Sequence, residues 1–267
     1  MQYRNTKQYL KPMKLIDTHC HLYLDEFKLD IHDVIEKAKN AGVTKFFLPA
    51  IDSEVIGDML ALEAAFPAEF FAMMGLHPCS VKENYKDELK IAEGWLNKRK
   101  FAAIGEIGLD FYWDKTFVTQ QYDAFETQMQ WALERRLPIV IHTRNAMQET
   151  IDFVKPFAAK GLTGIFHCFG GTYENAKEII DMQFLLGIGG VLTYKKSGLQ
   201  EVLTKIDLEH IVLETDAPYL TPVPYRGKRN ESSYLEFVVS KLAEIKNIPI
   251  GEVAAITTAT AEKIFGN

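Results

Sequence analysis

Two histidines separated by one residue follow a short apolar run near the start of the chain. The run is KLIDTHCH, which places His19 and His21 two positions apart. Alternate side chains of an extended strand share a face, so both imidazoles are expected to point the same way. Two imidazoles at this spacing can bind one metal ion. Taken alone, the pair is equally compatible with two exposed histidines at a strand end.

Further residues of metal-ligand type stand at the ends of later apolar runs. They are Glu106, His142, His167 and Asp216. One such residue by itself is more often a helix cap or a core histidine. Four separate strand ends that each supply one are not explained in that way. Imidazole and carboxylate donors without thiolates favour Zn²⁺, Mn²⁺, Fe or Mg²⁺ over a structural zinc site.

Six candidate ligands exceed what one catalytic zinc ion needs. The sequence therefore predicts two divalent ions (Mg²⁺, Zn²⁺ or Mn²⁺) that share a carboxylate. Glu106 is the best bridging candidate, because its run is central in the strand order. Asp216, at the edge of the predicted cluster, is expected to take the proton of the attacking water. Glu214 is expected to turn away from Asp216 and to hold a neighbouring strand or loop.

Eight apolar runs alternate with stretches of helical period. Such nearly continuous runs are typical of parallel strands buried on both faces. The runs are KLIDTH, KFFLPAI, EFFAMMGLH, FAAIGEIGLD, PIVIHT, TGIFHCF, FLLGIGG and HIVLETD. Helices are predicted over residues 30–40 and 119–136, with two closing helices near 233–246 and 251–265. Gly42 and Gly161 stand where helices should stop before a strand resumes.

This alternation predicts an α/β fold, either a (β/α)8 TIM barrel or a large doubly wound sheet. The barrel is favoured because the carboxyl ends of its strands converge on one mouth, where the candidate ligands would meet. A length of 267 residues fits the barrel, which needs about 250. No linker divides the chain, so we predict a single domain over 14–267, preceded by an N-terminal extension over 1–13.

Composition limits the classes of function. The chain is 47% hydrophobic and 25% charged, as in soluble globular proteins, and its net charge of -6 provides no broad basic surface. Two bound divalent cations would add local positive charge, so an anionic substrate is not excluded. Three scattered cysteines and no long apolar run predict a cytoplasmic protein without a membrane segment. No obligate protein partner is evident.

Cys20 and Cys168 are expected to turn away from their ligand neighbours as small core residues.

From Lys14 onward the chain resembles the TatD family of metal-dependent deoxyribonucleases, among the amidohydrolase-like barrels. The resemblance rests on motifs in family order: DTHCHL, GLHP, GEIGLDFYW, a QxxxF segment, IHTR, HCF, ETDAPYL and PVPYRGKRNES. It implies that one ion is held by His19, His21, Glu106 and Asp216. It implies that the other is held by Glu106, His142 and His167. It also places Asp17 beside the ligands and His77 at the pocket wall.

The resemblance further implies hydrolysis of DNA phosphodiester bonds, in the 3′ to 5′ direction from single-stranded ends. Arg144, Arg226 and Arg229 are candidate phosphate clamps, because a guanidinium fork matches phosphate oxygens. Tyr112, beside Phe111 and Trp113, is a candidate base-stacking residue. Each of these arginines is equally compatible with an ordinary solvated charge.

Two departures from the family pattern concern residues outside the ligand set. Gly170 stands where the family usually has Ser, and Thr260 stands at a usual Asn position. Both bear on substrate contacts or local packing.

Two other functions are compatible with a barrel of this kind. A small-molecule amidohydrolase or lactonase could use the same barrel, but such enzymes often bridge two metals with a carbamylated lysine at the end of strand four. This chain has Glu106 there. A catalytically weak, partner-recruiting barrel is disfavoured by the complete ligand set.

Overall fold

The computed structural model describes residues 13–266. Within this range eight parallel strands follow one another in chain order, as the apolar runs predict. They are β1 (Leu15–Asp17), β2 (Val43–Pro49), β3 (Phe70–Met73), β4 (Ile104–Asp110), β5 (Ile139–Arg144), β6 (Gly164–Phe166), β7 (Leu185–Ile188) and β8 (Ile211–Leu213).

A helix follows each strand, and a final helix follows the last of these. The helices are α1 (Ile31–Asn40), α2 (Ile56–Ala65), α3 (Tyr85–Lys98), α4 (Val118–Arg135), α5 (Met147–Ala158), α6 (Tyr173–Asp181), α7 (Leu199–Leu203), α8 (Leu235–Lys246) and α9 (Ile250–Phe265). The predicted bounds of α1, α4, α8 and α9 differ from these by two residues or fewer. Apolar periodicity therefore located the helices well.

The strands close into a barrel through two joints. Continuous ladders link β1 to β3 and β4 to β8. At the first joint the Gly105 N–H donates to the Met74 carbonyl at 3.0 Å. At the second, the Thr18 N–H donates to the Leu213 carbonyl at 3.0 Å and the Asp216 N–H to the His19 carbonyl at 2.9 Å. The predicted (β/α)8 barrel is confirmed.

Alternate strand residues form two apolar clusters. One is the large cluster between strands and helices, which contains Phe46 of β2 and Phe70 of β3. The smaller cluster contains the intervening residues, such as Phe47 and Val140, together with the end of α9. The Phe265 ring stacks on Phe47 with centroids 3.7 Å apart, so α9 covers the amino-terminal end of the barrel. The carboxyl ends of the strands are left for the loops that carry the ligands.

The predicted N-terminal extension meets the barrel at Met13. Residues 1–12 of the predicted extension lie outside the described range. Met13, assigned to that extension, packs partly buried against the large apolar cluster. Its carbonyl faces Gly42, and a Cβ on Gly42 would lie 2.4 Å from that oxygen. Among residues 13–266, no helix combines the length and apolar character needed to cross a membrane.

Gly42 and Gly161 provide a matched test of this packing. Both have φ +95°, but a Cβ at Gly161 would meet nothing within 4 Å. We expect Gly161→Ala to lose about 1–3 kcal/mol from backbone strain alone. Gly42→Ala should lose about 1–3 kcal/mol more, because the Met13 carbonyl must move. Urea unfolding of both variants measures the difference, and equal losses would show that the Met13 contact is not held in solution.

Candidate active site

The structure brings the six predicted ligands together at the carboxyl-terminal mouth of the barrel. They lie within or just after β1, β4, β5, β6 and β8. Glu106 lies within β4 and His142 within β5, whereas the others stand just beyond their strands. His19 and His21 therefore do not owe their common direction to a regular strand. An isolated bridge between Cys20 and Ala217 keeps this segment extended.

The first group of donors surrounds one oxygen of Glu106. The His19 Nε2 lies 3.1 Å from Glu106 Oε2 and 3.3 Å from the His21 Nε2. The Asp216 Oδ1 lies 3.7 Å from the His19 Nε2 and 3.5 Å from the His21 Nε2. Two imidazole nitrogens and two carboxylates thus face a common point.

The second group surrounds the other oxygen of the same carboxylate. Glu106 Oε1 lies 2.9 Å from the His142 Nδ1, 3.4 Å from the His77 Nε2 and 3.7 Å from the His167 Nε2. The His167 Nε2 is also 3.9 Å from Asp216 Oδ1, and its ring stacks on that of His19. His167 therefore adjoins both groups, and Glu106 divides its two oxygens between them.

The second ring nitrogen shows which histidines present a lone pair to the site. The Tyr23 hydroxyl donates to the Pro49 carbonyl, so its oxygen accepts from the His21 Nδ1 at 2.8 Å. Glu214 Oε1 lies 3.0 Å from the His167 Nδ1. The Tyr23 contact keeps the proton of His21 on Nδ1 and leaves its Nε2 free as a ligand. The approach of Glu214 to His167 is an ion-pair contact without hydrogen-bond geometry.

His77 has the opposite arrangement. Its Nδ1 accepts from the Cys79 N–H at 3.0 Å, so the neutral ring carries its proton on Nε2. That nitrogen is a donor facing Glu106, which makes His77 unsuited as a ligand in this tautomer. Its place at the wall of a substrate pocket stays a prediction.

Asp110 is a site residue that the sequence reasoning did not assign. Its Oδ2 lies 2.9 Å from the His142 Nε2, and its Oδ1 accepts from the N–H groups of Tyr112 and Trp113. The Gln121 side chain holds the Asp110 backbone through both its N–H and its carbonyl. The sequence feature that could have indicated this role is the glutamine that stands eleven positions after Asp110, the last residue of GEIGLD.

Two expectations next to the ligands need correction. Glu214 does hold the loop after β6, by accepting from the Cys168 N–H at 2.5 Å, but it does not turn away from the site. Residues two apart in extended chain share a face, and Glu214 and Asp216 both reach His167. Cys168 is only half-buried with φ 48°, because β6 has already ended and strand alternation no longer applies. Cys20 is fully buried in the core, as expected.

Buried polar contacts join the strand ends that carry the ligands. Asp17 accepts from the Thr215 N–H at 2.9 Å and from the hydroxyls of Thr215 and Ser232. Burial raises the pKa of Asp17 to about 7, although these hydrogen bonds act in the opposite direction. The contacts fasten the segment before His19 to the segment before Asp216.

Two glycines make room for the site. A Cβ at Gly187 would lie 2.3 Å from Glu214 Oε2, and one at Gly108 would lie 2.0 Å from the His142 carbonyl. Gly108 also has φ +146°. Any larger residue would therefore displace a group that orients His167 or His142.

The local electrostatics keep the carboxylates ionised. Burial raises the pKa of Glu106, but the positive potential of His77, His19 and His167 outweighs it and brings the pKa well below the usual range. Burial lowers the pKa of His167, but Glu214 and Glu106 overcome it and raise the value to about 10.

The donor set fits a divalent cation. Ligand atoms held about 2.0–2.2 Å from one ion lie roughly 3–3.6 Å from one another. The observed separations around Glu106 Oε2 run from 3.1 to 3.8 Å. His19 Nδ1 is buried without a hydrogen-bond partner among residues 13–266. Only the contacts of its Nε2 therefore offset the cost of removing this ring from water. Imidazole and carboxylate donors suit Zn²⁺, Mn²⁺ or Mg²⁺.

Two of the predicted arginines lie on aromatic rings at the surface. The Arg144 guanidinium carbon is 4.0 Å from the Tyr112 ring centroid and 5.2 Å from that of Trp113. These two rings are 51% and 67% exposed. Arg226 is exposed and lies 4.4 Å from the Tyr194 ring. Both guanidinium groups remain accessible to an anion.

Arg229, the third predicted phosphate clamp, already has a carboxylate partner. It makes a two-pronged ion pair with Asp30, at 2.9 and 2.7 Å, and lies 4.6 Å from the Phe27 ring. This side chain ties the loop after β8 to the segment before α1. These contacts give Arg229 a role in loop packing, and its phosphate contact stays a prediction.

The two departures from the family pattern lie away from the donors. A Cβ at Gly170 would meet only the Cys168 carbonyl, at 3.9 Å, so the missing side chain is not required by local packing. The Thr260 hydroxyl donates within α9 to the Ile256 carbonyl at 3.1 Å.

A (β/α)8 barrel with imidazole and carboxylate donors at its mouth is typical of metal-dependent hydrolases. A family model described as TatD related DNase matches residues 16–266. The chain belongs to the TatD family.

Relatives agree with this assignment over nearly their whole length. The uncharacterized metal-dependent hydrolase YabD of Bacillus subtilis is 37% identical over 253 residues, which cover 94% of this chain and 98% of YabD. The uncharacterized metal-dependent hydrolase YcfH of Escherichia coli K12 is 30% identical, covering 95% of this chain and 96% of YcfH. The crystal structure of YjjV, a TatD homologue from E. coli K12, has 28% identity and a TM-score of 0.90, covering 96% of this chain and 100% of YjjV.

Asp110 offers a test of how His142 is held. Asp110→Asn keeps an oxygen for the two N–H groups but removes the charge beside the His142 Nε2. We expect metal affinity at the His142 side to fall about 10–100-fold, the usual effect of losing a partner that orients a ligand. Asp114→Asn, in the same loop but paired with Lys82, is the matched control. Metal titration by calorimetry measures both, and unchanged affinity in Asp110→Asn would remove the orienting role.

Proposed function

We propose that this TatD-family hydrolase is a deoxyribonuclease that cleaves DNA phosphodiester bonds at a two-metal site, from single-stranded ends. The observation that supports the two-metal assignment is that the two carboxylate oxygens of Glu106 face different pairs of histidines. Its Oε2 faces the nitrogens of His19 and His21, while its Oε1 faces those of His142 and His167. One carboxylate oriented in this way is suited to bridge two cations.

The proposed ligand sets follow from these contacts. His19, His21, Glu106 and Asp216 would hold one ion, and the other would be held by Glu106, His142 and His167. Bound divalent cations would supply positive charge that polarises a phosphodiester and makes water a stronger nucleophile near neutral pH.

Asp216 is the proposed proton acceptor. Its side chain is 14% exposed against 3% for Glu106, so it is the more accessible carboxylate of the two. Burial raises the pKa of Asp216, but the His21 hydrogen bond and the charges of His167 and His19 bring it below the usual value. At neutral pH Asp216 is therefore ionised and can take a proton from water at a carboxylate oxygen.

The surface around the mouth supports a nucleic-acid substrate. Arg144 stands against two exposed rings, Tyr112 and Trp113, so phosphate contact and base stacking are available within one loop cluster. Arg226 on Tyr194 offers a second cation. Two accessible arginines suit a short contact with a frayed strand end. The 3′ to 5′ polarity is proposed from the family resemblance alone.

A small-molecule amidohydrolase or lactonase is less well supported. The exposed aromatic and arginine residues at the mouth have no evident role with a small neutral substrate. Activity on DNA, compared with a panel of amides and lactones, distinguishes these functions.

Metal content tests the bridging assignment. Glu106→Ala should lose both ions together, because it removes an oxygen from each donor group. His142→Ala should weaken mainly one ion, since the first group keeps all four of its donors. Metal analysis after dialysis, with circular dichroism to verify folding, measures the stoichiometry. Near-complete retention of two ions by Glu106→Ala would rule out the bridge.

End recognition is tested with matched DNA substrates. A linear single strand should be trimmed, whereas the same sequence closed into a covalent circle should resist cleavage by at least 10²-fold. The reason is that a short contact at the barrel mouth requires a free end. Arg226→Ala should raise KM for the linear strand more than it lowers kcat, because a phosphate clamp binds ground and transition states alike. Rapid digestion of the circle at equal protein and metal would instead indicate an endonuclease.

A further inference from the structure

A second cavity lies at the opposite end of the barrel from the metal ligands. It has a volume of about 370 Å³, within the range of about 300–1,000 Å³ that small-molecule sites occupy. Its walls come from the start of β3, from the loops that precede β4 and β5, and from the end of α9. We call this cavity the basal cleft and define it by Phe71, Arg99, Lys100, Arg136, Lys263 and Phe265.

The charge of the basal cleft is positive and largely uncompensated. Among residues 13–266, Glu63 is the only acidic residue that lines the cleft. It is already paired with Arg99 and accepts from the Ala72 N–H at 2.8 Å. Within residues 13–266, Lys100, Arg136 and Lys263 form no ion pair. The carbonyl end of α9 contributes about half a negative charge, which three cations exceed. The cleft therefore favours an anion.

The floor of the basal cleft is aromatic. Phe71 and Phe265 are partly exposed, and each lies against the buried Phe47, with centroids 5.2 and 3.7 Å from it. Their rings are close to parallel with that of Phe47, at interplanar angles of 24° and 17°. Flat aromatic surfaces of this kind stack well against a planar heteroaromatic ring.

We propose that the basal cleft binds a nucleoside monophosphate, with its base against Phe71 and Phe265 and its phosphate on Lys100 and Arg136. The cavity is large enough for an organic body as well as a phosphate, and the aromatic floor would go unused by phosphate alone. The cleft shares no residue with the metal ligands. If the cleft does not bind a nucleoside monophosphate, the proposed nuclease function is therefore unaffected. If the protein is not a nuclease, the proposal for the cleft is equally unaffected.

Calorimetric titration of the metal-loaded protein with dAMP tests the proposal. The variant is Lys100→Glu/Arg136→Glu, and the control is Lys160→Glu/Lys205→Glu. The control removes the same charge from two exposed residues in other loops that precede strands, neither of which lines the cleft. We expect wild type and control to share a dAMP site that the cleft variant weakens at least tenfold, while DNA hydrolysis and melting temperature stay unchanged in both. If the cleft variant does not fold, Lys100→Gln/Arg136→Gln replaces it.

Inorganic phosphate and deoxyadenosine separate the two halves of the ligand. Each should bind the cleft at least tenfold more weakly than dAMP. Equal dAMP binding by the cleft variant and the control would overturn the proposal. Phosphate binding as tight as that of dAMP would overturn it too, as would a cleft that binds palmitate or a DNA oligomer but not dAMP.

Discussion

Glu106 is a carboxylate almost wholly removed from water whose two oxygens face different sets of imidazoles. An isolated buried carboxylate would take up a proton to avoid the cost of desolvation. Here the surrounding imidazoles reverse that preference, so the charge persists inside the barrel mouth. The other donors are arranged around this one charge, and β4 is the strand that places it at the centre.

The imidazoles are in turn oriented by groups that do not face the centre themselves. Tyr23 fixes the ring of His21, Glu214 that of His167, and Asp110 that of His142. These partners come from a loop, from the segment after β8 and from the end of β4. Close packing at Gly187 keeps Glu214 in place, and close packing at Gly108 holds the backbone of His142. The donors that face the centre are therefore supported by a surrounding layer of polar contacts.

The two ends of the barrel divide stability from chemistry. At the amino-terminal end, α9 stacks Phe265 on Phe47 and closes the apolar interior. At the carboxyl-terminal end, buried polar contacts such as those of Asp17 replace apolar packing. Changes at one end can therefore leave the other intact, because a well-packed apolar interior separates them.

The sequence by itself determined the fold class, the positions of the main helices and strands, and the residue types that meet at the mouth. The period of the apolar residues is a local property, so it can be read from a single sequence. The carboxyl ends of parallel barrel strands lie on one side, so the convergence of His19, Glu106 and Asp216 followed from their places in the strand order. The tertiary structure decided how these groups pair. Arg229 faces Asp30, 199 positions away, and Asp17 meets Thr215 at a separation of 198. Such partners, the histidine tautomers and the division of the two Glu106 oxygens depend on the packing of distant loops, for which a single sequence carries no local signal.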